Sequence, residues 1–378
     1  MHICHLTLGH TPYDDRIYYK ECWGIRHWAD RVTVIGKETE IPETTYPEIE
    51  VLTFPWGNLL QRFGKAFDLA VDLQADIYHL HEPELLPMIP LLRNRTSAAF
   101  VYDMHEPLAE VILDFSRNPW YQRYATALAM GGYERLLLSL PNSVIFTSKI
   151  LSSEFQKYTR HSTILYNFPR LDLFESAPGE ERGTQYTVLY QGQIAPSRGI
   201  VDLVKGFYLY YREHQQGRLR LVGSVSSPEF RRTLLGAFSY FNLTHAAALE
   251  QAVPHTSMRP ILQSASVGIM ALHPTPAFRK SVQIKTFEYM ATGLPVIAGN
   301  YASAHQFVAS RNAGIVLEET TPRTIAGALG DLYTHPEKRR QMGQRGQQAV
   351  HEQWNWSAMN RKLQHLYLGI ARPMPEID

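Results

Sequence analysis

Short apolar runs recur along the chain, separated by longer stretches of mixed polarity. HICHLTL, RVTVIG, EVLTF, IYHLH, AFVYDMH, SVIFTS and TILYN follow in order over the first 167 residues, with helix-length segments such as DDRIYYKECWGIRHWA between most of them. A polar stretch, PRLDLFESAPGEERGTQ, interrupts the pattern, which then resumes as TVLYQG, LRLVG, LEQAV, VGIMAL, PVIAG and AGIVL. Strands that alternate with helices predict parallel sheets joined by right-handed crossovers. Two such series predict an α/β chain of two Rossmann-like, doubly wound halves facing across a cleft. The expected domains are residues 1–172 and 183–350, with the link near 170–185. Residues 351–378 begin with HEQWNWSAMNRKLQHLYLGI, a helix expected to leave the second domain and return to the first.

Length agrees with two domains, since 378 residues exceed one ordinary domain. A hydrophobic content of 44% with 19% charged residues suits chains that bury full cores. The formal net charge of +1 lacks the basic excess of a dedicated nucleic-acid binder, so no nucleic-acid partner is expected. The two cysteines, Cys4 and Cys22, have no metal-ligand spacing, which points away from a disulfide scaffold or zinc site and towards a reducing, cytoplasmic setting. The opening MHICHLTLGH has no basic region followed by a long apolar run, so no signal peptide is expected. No apolar stretch reaches membrane-spanning length.

In doubly wound sheets, ligands gather at the carboxyl ends of the strands. The first strand runs into LGHTPYDDR, where Gly9 permits close backbone approach and Asp15 and Arg16 open the next helix. Asp15 there serves equally well as a helix cap. The fourth strand ends in His81 and Glu82, the fifth in Asp103, His105 and Glu106. A single histidine is more often structural than functional. Two successive strands that both end in His-Glu put titratable groups at one rim, where acid–base or hydrogen-bonding work is done. The paired aspartates lack further ligands nearby, so no metal is expected.

In the second series, YQGQIAPSRGI carries Gly192 and Arg198 in a loop that opens a helix, a place where amides and a cation can meet an anion. It matches neither a dinucleotide fingerprint nor a P-loop. LVGSVSS gives Gly223 at the next strand end, and AVPHTSM gives Pro254, whose backbone could hold a flat base. KTFEYMATGLPVIAGN then sets Lys285 and Glu288 one helical turn apart, ahead of a Gly-Leu-Pro break and a buried strand. The plain reading of such a pair is a solvated ion pair. A cation for a diphosphate and a carboxylate for ribose hydroxyls is the functional one.

With those residues in place, the sequence resembles the retaining GT-B glycosyltransferases of glycosyltransferase family four over nearly its whole length. HLTLGHTPYDDRIYYKE, HLHEPELLP, YDMHE, LYQGQIAPSRGI, KTFEYMATGLPVIA and WNWSAMNRKLQHLY are similar, in order, to that family's successive elements. The resemblance implies a nucleotide-diphosphate sugar donor, expected to be UDP-linked, and a hydroxyl acceptor in surface polysaccharide or glycolipid assembly. It implies that Glu288 holds the ribose, Arg198 the donor phosphates, and that His105 lies by the reacting sugar. His105, Arg198 and Lys285 are the expected catalytic groups. Gly9, Gly192, Gly223, Glu288 and Pro254 are expected on the donor, and Asp15, Arg16, His81 and Glu82 on the acceptor. Gln193 and Lys280 stand where the family often has an arginine and an acidic residue. Lys285 and Arg198 are therefore expected to share the phosphate charge, with no cofactor or metal.

For the acceptor, SRNPWYQRYATALAMGGYERLLLSL mixes Trp120, Tyr121, Tyr124 and Tyr133 with Arg117, Arg123 and Arg135, and WGNLLQRFGKAF adds a second aromatic and basic stretch. An ordinary amphipathic helix pair accounts for the pattern. Peripheral docking on the inner face of an anionic membrane, where a lipid-linked acceptor lies, is the functional expectation. Two other functions suit the same architecture: a nucleotide-sugar 2-epimerase and a non-catalytic nucleotide-sugar-binding protein.

Overall fold

The computed structural model describes residues 1–116, 118–174, 185–254, 257–273 and 275–371. The chain divides into two compact units, Met1–Asn167 together with Trp356–Asp378, and Phe168–Asn355. The divisions thus fall at 167/168 and 355/356, not at 172/183 and 350/351. Among the described residues the terminal helix, Trp356–Ala371, belongs to the first unit. The helix before it, Pro336–Glu352, belongs to the second. The break between them includes Asn355, whose side-chain amide donates to the Val350 and His351 carbonyls (both 3.0 Å).

The first unit contains β1 (His2–Leu6), β2 (Arg31–Lys37), β3 (Ile49–Phe54), β4 (Ile77–Leu80), β5 (Ala99–Met104), β6 (Ser143–Phe146) and β7 (Ser162–Ile164). They form one parallel sheet in the order β3-β2-β1-β4-β5-β6-β7. The strand order reverses between β1 and β4, which makes their carboxyl ends the switch point. The central strands are buried on both faces and read as continuous apolar runs for that reason. Three fully buried residues depart from this: His5 on β1 and His79 on β4, which are register partners, and Asp103 on β5.

The second unit contains β8 (Thr187–Gln191), β9 (Arg218–Val222), β10 (Ala247–Glu250), β11 (Val267–Met270), β12 (Val296–Ala298) and β13 (Gly314–Val316). Their parallel order is β10-β9-β8-β11-β12-β13, with the switch point between β8 and β11. β10 lies earlier than LEQAV predicts. Ala247 pairs with Leu219, so the sheet takes the alanine-rich stretch as strand and leaves Pro254 four residues beyond its end.

One helix of this unit decides the placement of its chemistry. Ile284–Ala291 buries six of its eight residues, Thr286 to Ala291. Burial of Phe287 and Met290 contributes about 1.5–3 kcal/mol each. Tyr289 lies flat on β11 at Gly268, where any side chain would enter the ring: a Cβ there would stand 2.3 Å from Tyr289 Cγ. The Tyr289 hydroxyl then accepts from the Gln191 amide at 2.9 Å. Helix, central strand and switch point are locked together by that residue.

Candidate active site

In the second unit the Tyr289 anchor carries its neighbour Glu288 to the end of β8. Glu288 is 1% exposed, and its Oε2 accepts from the Gln191 side-chain amide at 2.6 Å. The Lys285 ammonium sits 3.3 Å from both Glu288 oxygens and is itself 34% exposed. A solvated ion pair leaves both ends in water, whereas here one end is inside the unit. A buried carboxylate needs such partners, because desolvation without them is costly. Gln191 was not among the residues expected from sequence. The signal for it was a polar side chain closing the otherwise apolar TVLY run.

Around this pair the strand ends come close together as backbone. Gly192 donates its amide to Val222, and Gly223 donates to Glu250 (3.0 and 3.1 Å). A Cβ on Gly223 would meet the Gly192 carbonyl oxygen at 1.8 Å, and Gly223 has φ +153°. The loop continues through Arg198, whose guanidinium lies 4.5 Å over the Phe278 ring, to Gly199 (φ +68°) at the start of the helix Ile200–His214. Gly199 must lack a side chain, since a Cβ would stand 2.5 Å from the Ala271 carbonyl oxygen after β11. Pro254 is exposed and its carbonyl accepts from the Ser257 amide at 2.9 Å, while His255 and Thr256 lie outside the described residues.

In the first unit the strand-end groups form a different kind of assembly. Arg16 is 3% exposed and grips the fully buried Asp103 with two hydrogen bonds, Nε to Oδ2 at 2.6 Å and Nη2 to Oδ1 at 3.0 Å. His81 is buried as well, its Nε2 bonded to His5 Nδ1 at 3.0 Å. Both were expected on the acceptor; the structure places them buried, in contact with Asp103 and His5. Glu82 is also spent internally. Its carboxylate accepts from the amides of Leu8, Gly9 and His10 (3.0, 3.0 and 3.1 Å) and from the Thr7 hydroxyl, so the Gly9 loop's amides are committed to it. Asp15 pairs with the buried Lys20 at 2.7 Å. Capping falls instead to Asp14, which accepts from the Arg16 and Ile17 amides at 2.8 and 3.2 Å.

Two imidazoles remain at this rim. His105, 24% exposed, holds Asp103 Oδ2 through Nε2 at 3.1 Å. His10, 41% exposed, pairs with Asp14 at 3.6 Å, and the two rings lie 5.6 Å apart. Asp14 raises the His10 pKa above the ordinary imidazole value despite partial burial. Burial would push the Asp14 carboxyl up, but His10, His105 and the Ile17 amide bring it down to about 2. The i,i+4 spacing of His10 and Asp14 was the sequence signal for this pair.

Behind them lies a buried polar cluster of His5, His79, His81 and Glu21 with Tyr367 of the terminal helix. His79 Nδ1 bonds the Tyr367 hydroxyl at 2.6 Å. Burial lowers the pKa of all three histidines, His79 to about 3, so they are neutral. Burial also raises Glu21 well above the ordinary carboxyl value, outweighing Arg16 at 3.0 Å. Asp103 goes the other way: Arg16 and His105 overcome its burial and hold it well below. Of the two acids, Glu21 is therefore the one that holds its proton more tightly. By composition, His5, His79, His81 and Glu21, or His81, Asp103 and His105, could hold a cation. The His5 and His81 rings, however, lie within 16° of one plane with their nitrogens in a direct hydrogen bond. One of those two nitrogens donates its hydrogen to the other's lone pair, and His5 Nδ1, His79 Nδ1 and His81 Nε2 all stand within 3.8 Å of Glu21 Oε2.

Residues 185–335, most of the second unit, match the family model described as Glycosyl transferases group 1. Those residues are what this chain shares with that family. A GDP-mannose-dependent alpha-(1-6)-phosphatidylinositol monomannoside mannosyltransferase of Mycobacterium tuberculosis is 26% identical over 48% of this chain and 47% of its own length. The chain spans about half the length of the curated relatives it first matches. Over the whole chain the architecture is GT-B. Sucrose-phosphate synthase of Thermosynechococcus elongatus superposes with a TM-score of 0.77 at 18% identity, over 97% of this chain and 98% of that one. Anabaena Alr3699/HepE, solved in complex with UDP, gives 0.75 at 15% identity, over 98% and 100%. Within the matched unit, the carboxylate–lysine pair lies at the end of β8, beside the glycine-lined ends of β8 and β9.

Proposed function

We propose that the chain is a retaining glycosyltransferase that moves a sugar from a nucleoside-diphosphate sugar to a hydroxyl acceptor in polysaccharide or glycolipid assembly. The observation that carries the reading is Glu288, a buried carboxylate held by Gln191 and Lys285 at the carboxyl end of the central strand β8. A carboxylate there accepts from two ribose hydroxyls, while Lys285 and Arg198 meet the diphosphate. As the anomeric C–O bond breaks, negative charge grows on the leaving diphosphate, and preorganised cations stabilise it more than they stabilise the ground state. His105 is the first unit's group for the reacting sugar. The UDP of the Anabaena complex and the GDP-mannose of the mycobacterial relative name the two nucleotides to test, UDP being our choice.

No helix among the described residues is long and apolar enough to cross a membrane. The helix Trp120–Leu137 nevertheless exposes Trp120 (70%), Tyr124 (59%) and Leu128 (78%) on one face, with Tyr121 beside them. Trp56 and Leu60 are equally exposed elsewhere in the first unit, and Arg117 lies outside the described residues. Such aromatic faces suit peripheral contact with a lipid surface carrying the acceptor. A panel of UDP- and GDP-sugars tests the function: a matching donor raises the melting temperature by mass action and is slowly hydrolysed without acceptor. Conversion to a 2-epimer, or binding with no turnover, would displace the transferase reading.

A further inference from the structure

Asp103 and His105 are two residues apart at the end of an extended strand, so their side chains fall on the same side. That spacing lets one carboxylate oxygen serve two donors: Asp103 Oδ2 receives Arg16 Nε at 2.6 Å and His105 Nε2 at 3.1 Å. Asp103 Oδ1 receives Arg16 Nη2 at 3.0 Å. A carboxylate held bidentately by a guanidinium can only accept hydrogen bonds. His105 Nε2 must therefore carry a hydrogen, and its Nδ1 is the nitrogen left with a lone pair. We propose that Asp103 is a positioning residue that fixes His105 in the Nε2–H tautomer, so that Nδ1 accepts a hydrogen bond from a hydroxyl of the bound saccharide.

Other arrangements of the same residues would not do this. Were Asp103 only the counter-ion of Arg16, His105 could turn its ring or carry its hydrogen on either nitrogen. Of the other groups facing Asp103, His81 Nδ1 stands 3.7 Å from Oδ2, too far for a hydrogen bond. Glu21 also faces the Asp103 carboxylate, with its Oε1 3.0 Å from Arg16 Nε, and His105 keeps its 3.1 Å contact with Oδ2 beside it. The ring of His105 is further confined by its neighbours, with His81 edge-on at 5.7 Å and His10 tilted at 5.6 Å. A second-layer carboxylate that sets which imidazole nitrogen faces a ligand is a general device. Here it explains why the strand end reads Asp-x-His.

The functional half of this inference rests on His105 lying by the reacting sugar; the tautomer does not. The wild-type chain is labelled with 15N-histidine, and long-range 1H–15N correlations are recorded near pH ~8.5, about two units above the ordinary imidazole value. His105→Gln assigns the signal. The expected result is a single Nε2–H tautomer for His105; an Nδ1–H tautomer or an even mixture overturns the proposal. In Asp103→Asn the side-chain amide can donate to Nε2, so the hydrogen should move to Nδ1 and transfer fall by ~10²-fold or more, as for loss of a positioned acid–base group. An unchanged tautomer and rate in that variant would equally overturn it. Should Asp103→Asn not fold, the wild-type spectrum decides alone. Should no transfer be found in the wild type, the proposed function fails while the tautomer result still stands.

Discussion

Two buried acids share Arg16, and they should respond to substitution in opposite ways. Asp103 is ionised and bidentate, so Asp103→Asn leaves the guanidinium without its principal counter-charge. Breaking a buried pair from one side costs about 3–5 kcal/mol. Burial outweighs Arg16 and raises the Glu21 pKa in the folded unit, so Glu21 keeps its proton to a higher pH there than in the unfolded chain. Glu21→Gln keeps its shape and a donor, and removes a group that opposes folding above the ordinary carboxyl value of 4.5. Above that value the unfolded chain has released the proton and the folded chain has kept it. Stability then falls by about 1.4 kcal/mol for each pH unit until Glu21 ionises in place. The variant lacks this slope, so it gains stability on the wild type as the pH rises above 4.5. Hydrogen exchange of the β1 and β4 peptides reads the first unit's opening free energy separately from the second's. Parallel pH profiles for wild type and Glu21→Gln, or an equal loss in both substitutions, would refute this assignment of the proton.

Three further outcomes follow from the same contacts. Lys285→Met should depress kcat more than it changes donor KM, since its charge matters most as the diphosphate leaves; its effect should be strongly non-additive with Arg198→Met, and simple additivity in the double mutant would show that they do not share the phosphate. Gly223→Ala should destabilise the second unit by about 1–3 kcal/mol by overpacking against the Gly192 carbonyl, measured by hydrogen exchange of β8 and β9 peptides. If the exposed face of Trp120–Leu137 docks on lipid, the chain should sediment with anionic vesicles, release as salt rises, and lose binding on Trp120→Ala with Tyr124→Ala; indifference to vesicles at low ionic strength would remove that contact.

The strands were legible because parallel strands buried on both faces leave uninterrupted apolar runs. β10 was misplaced because a run of alanines carries no strand signal of its own, and its pairing with β9 is a tertiary choice. The helix expected after β1 runs from Ile17 to Ile25, with π-type hydrogen bonding over Ile17–Cys22 and α-type over Trp23–Ile25. Lys285 and Glu288 were readable as a pair, since three residues on a helix suffice to bring them together. The fate of Arg16 was not, because its partner Asp103 lies 87 positions away and only the folded sheet shows that both are buried. The same holds for Glu82, whose acceptor oxygens are consumed by amides 72 to 74 positions earlier. Strand ends advertise polar groups, but local sequence does not say which of them turn inward.

The central claim is that Glu288 takes the ribose of a nucleotide. Calorimetric titration of wild type and Glu288→Gln with UDP and with GDP tests it without knowledge of the sugar or the acceptor. Hydrogen bonds to a charged group contribute about 1.5–3 kcal/mol, so the nucleotide that binds should lose ~10-fold or more in affinity on substitution. Equal affinity of the two proteins for that nucleotide, or no binding of either nucleotide to the wild type, would contradict the account.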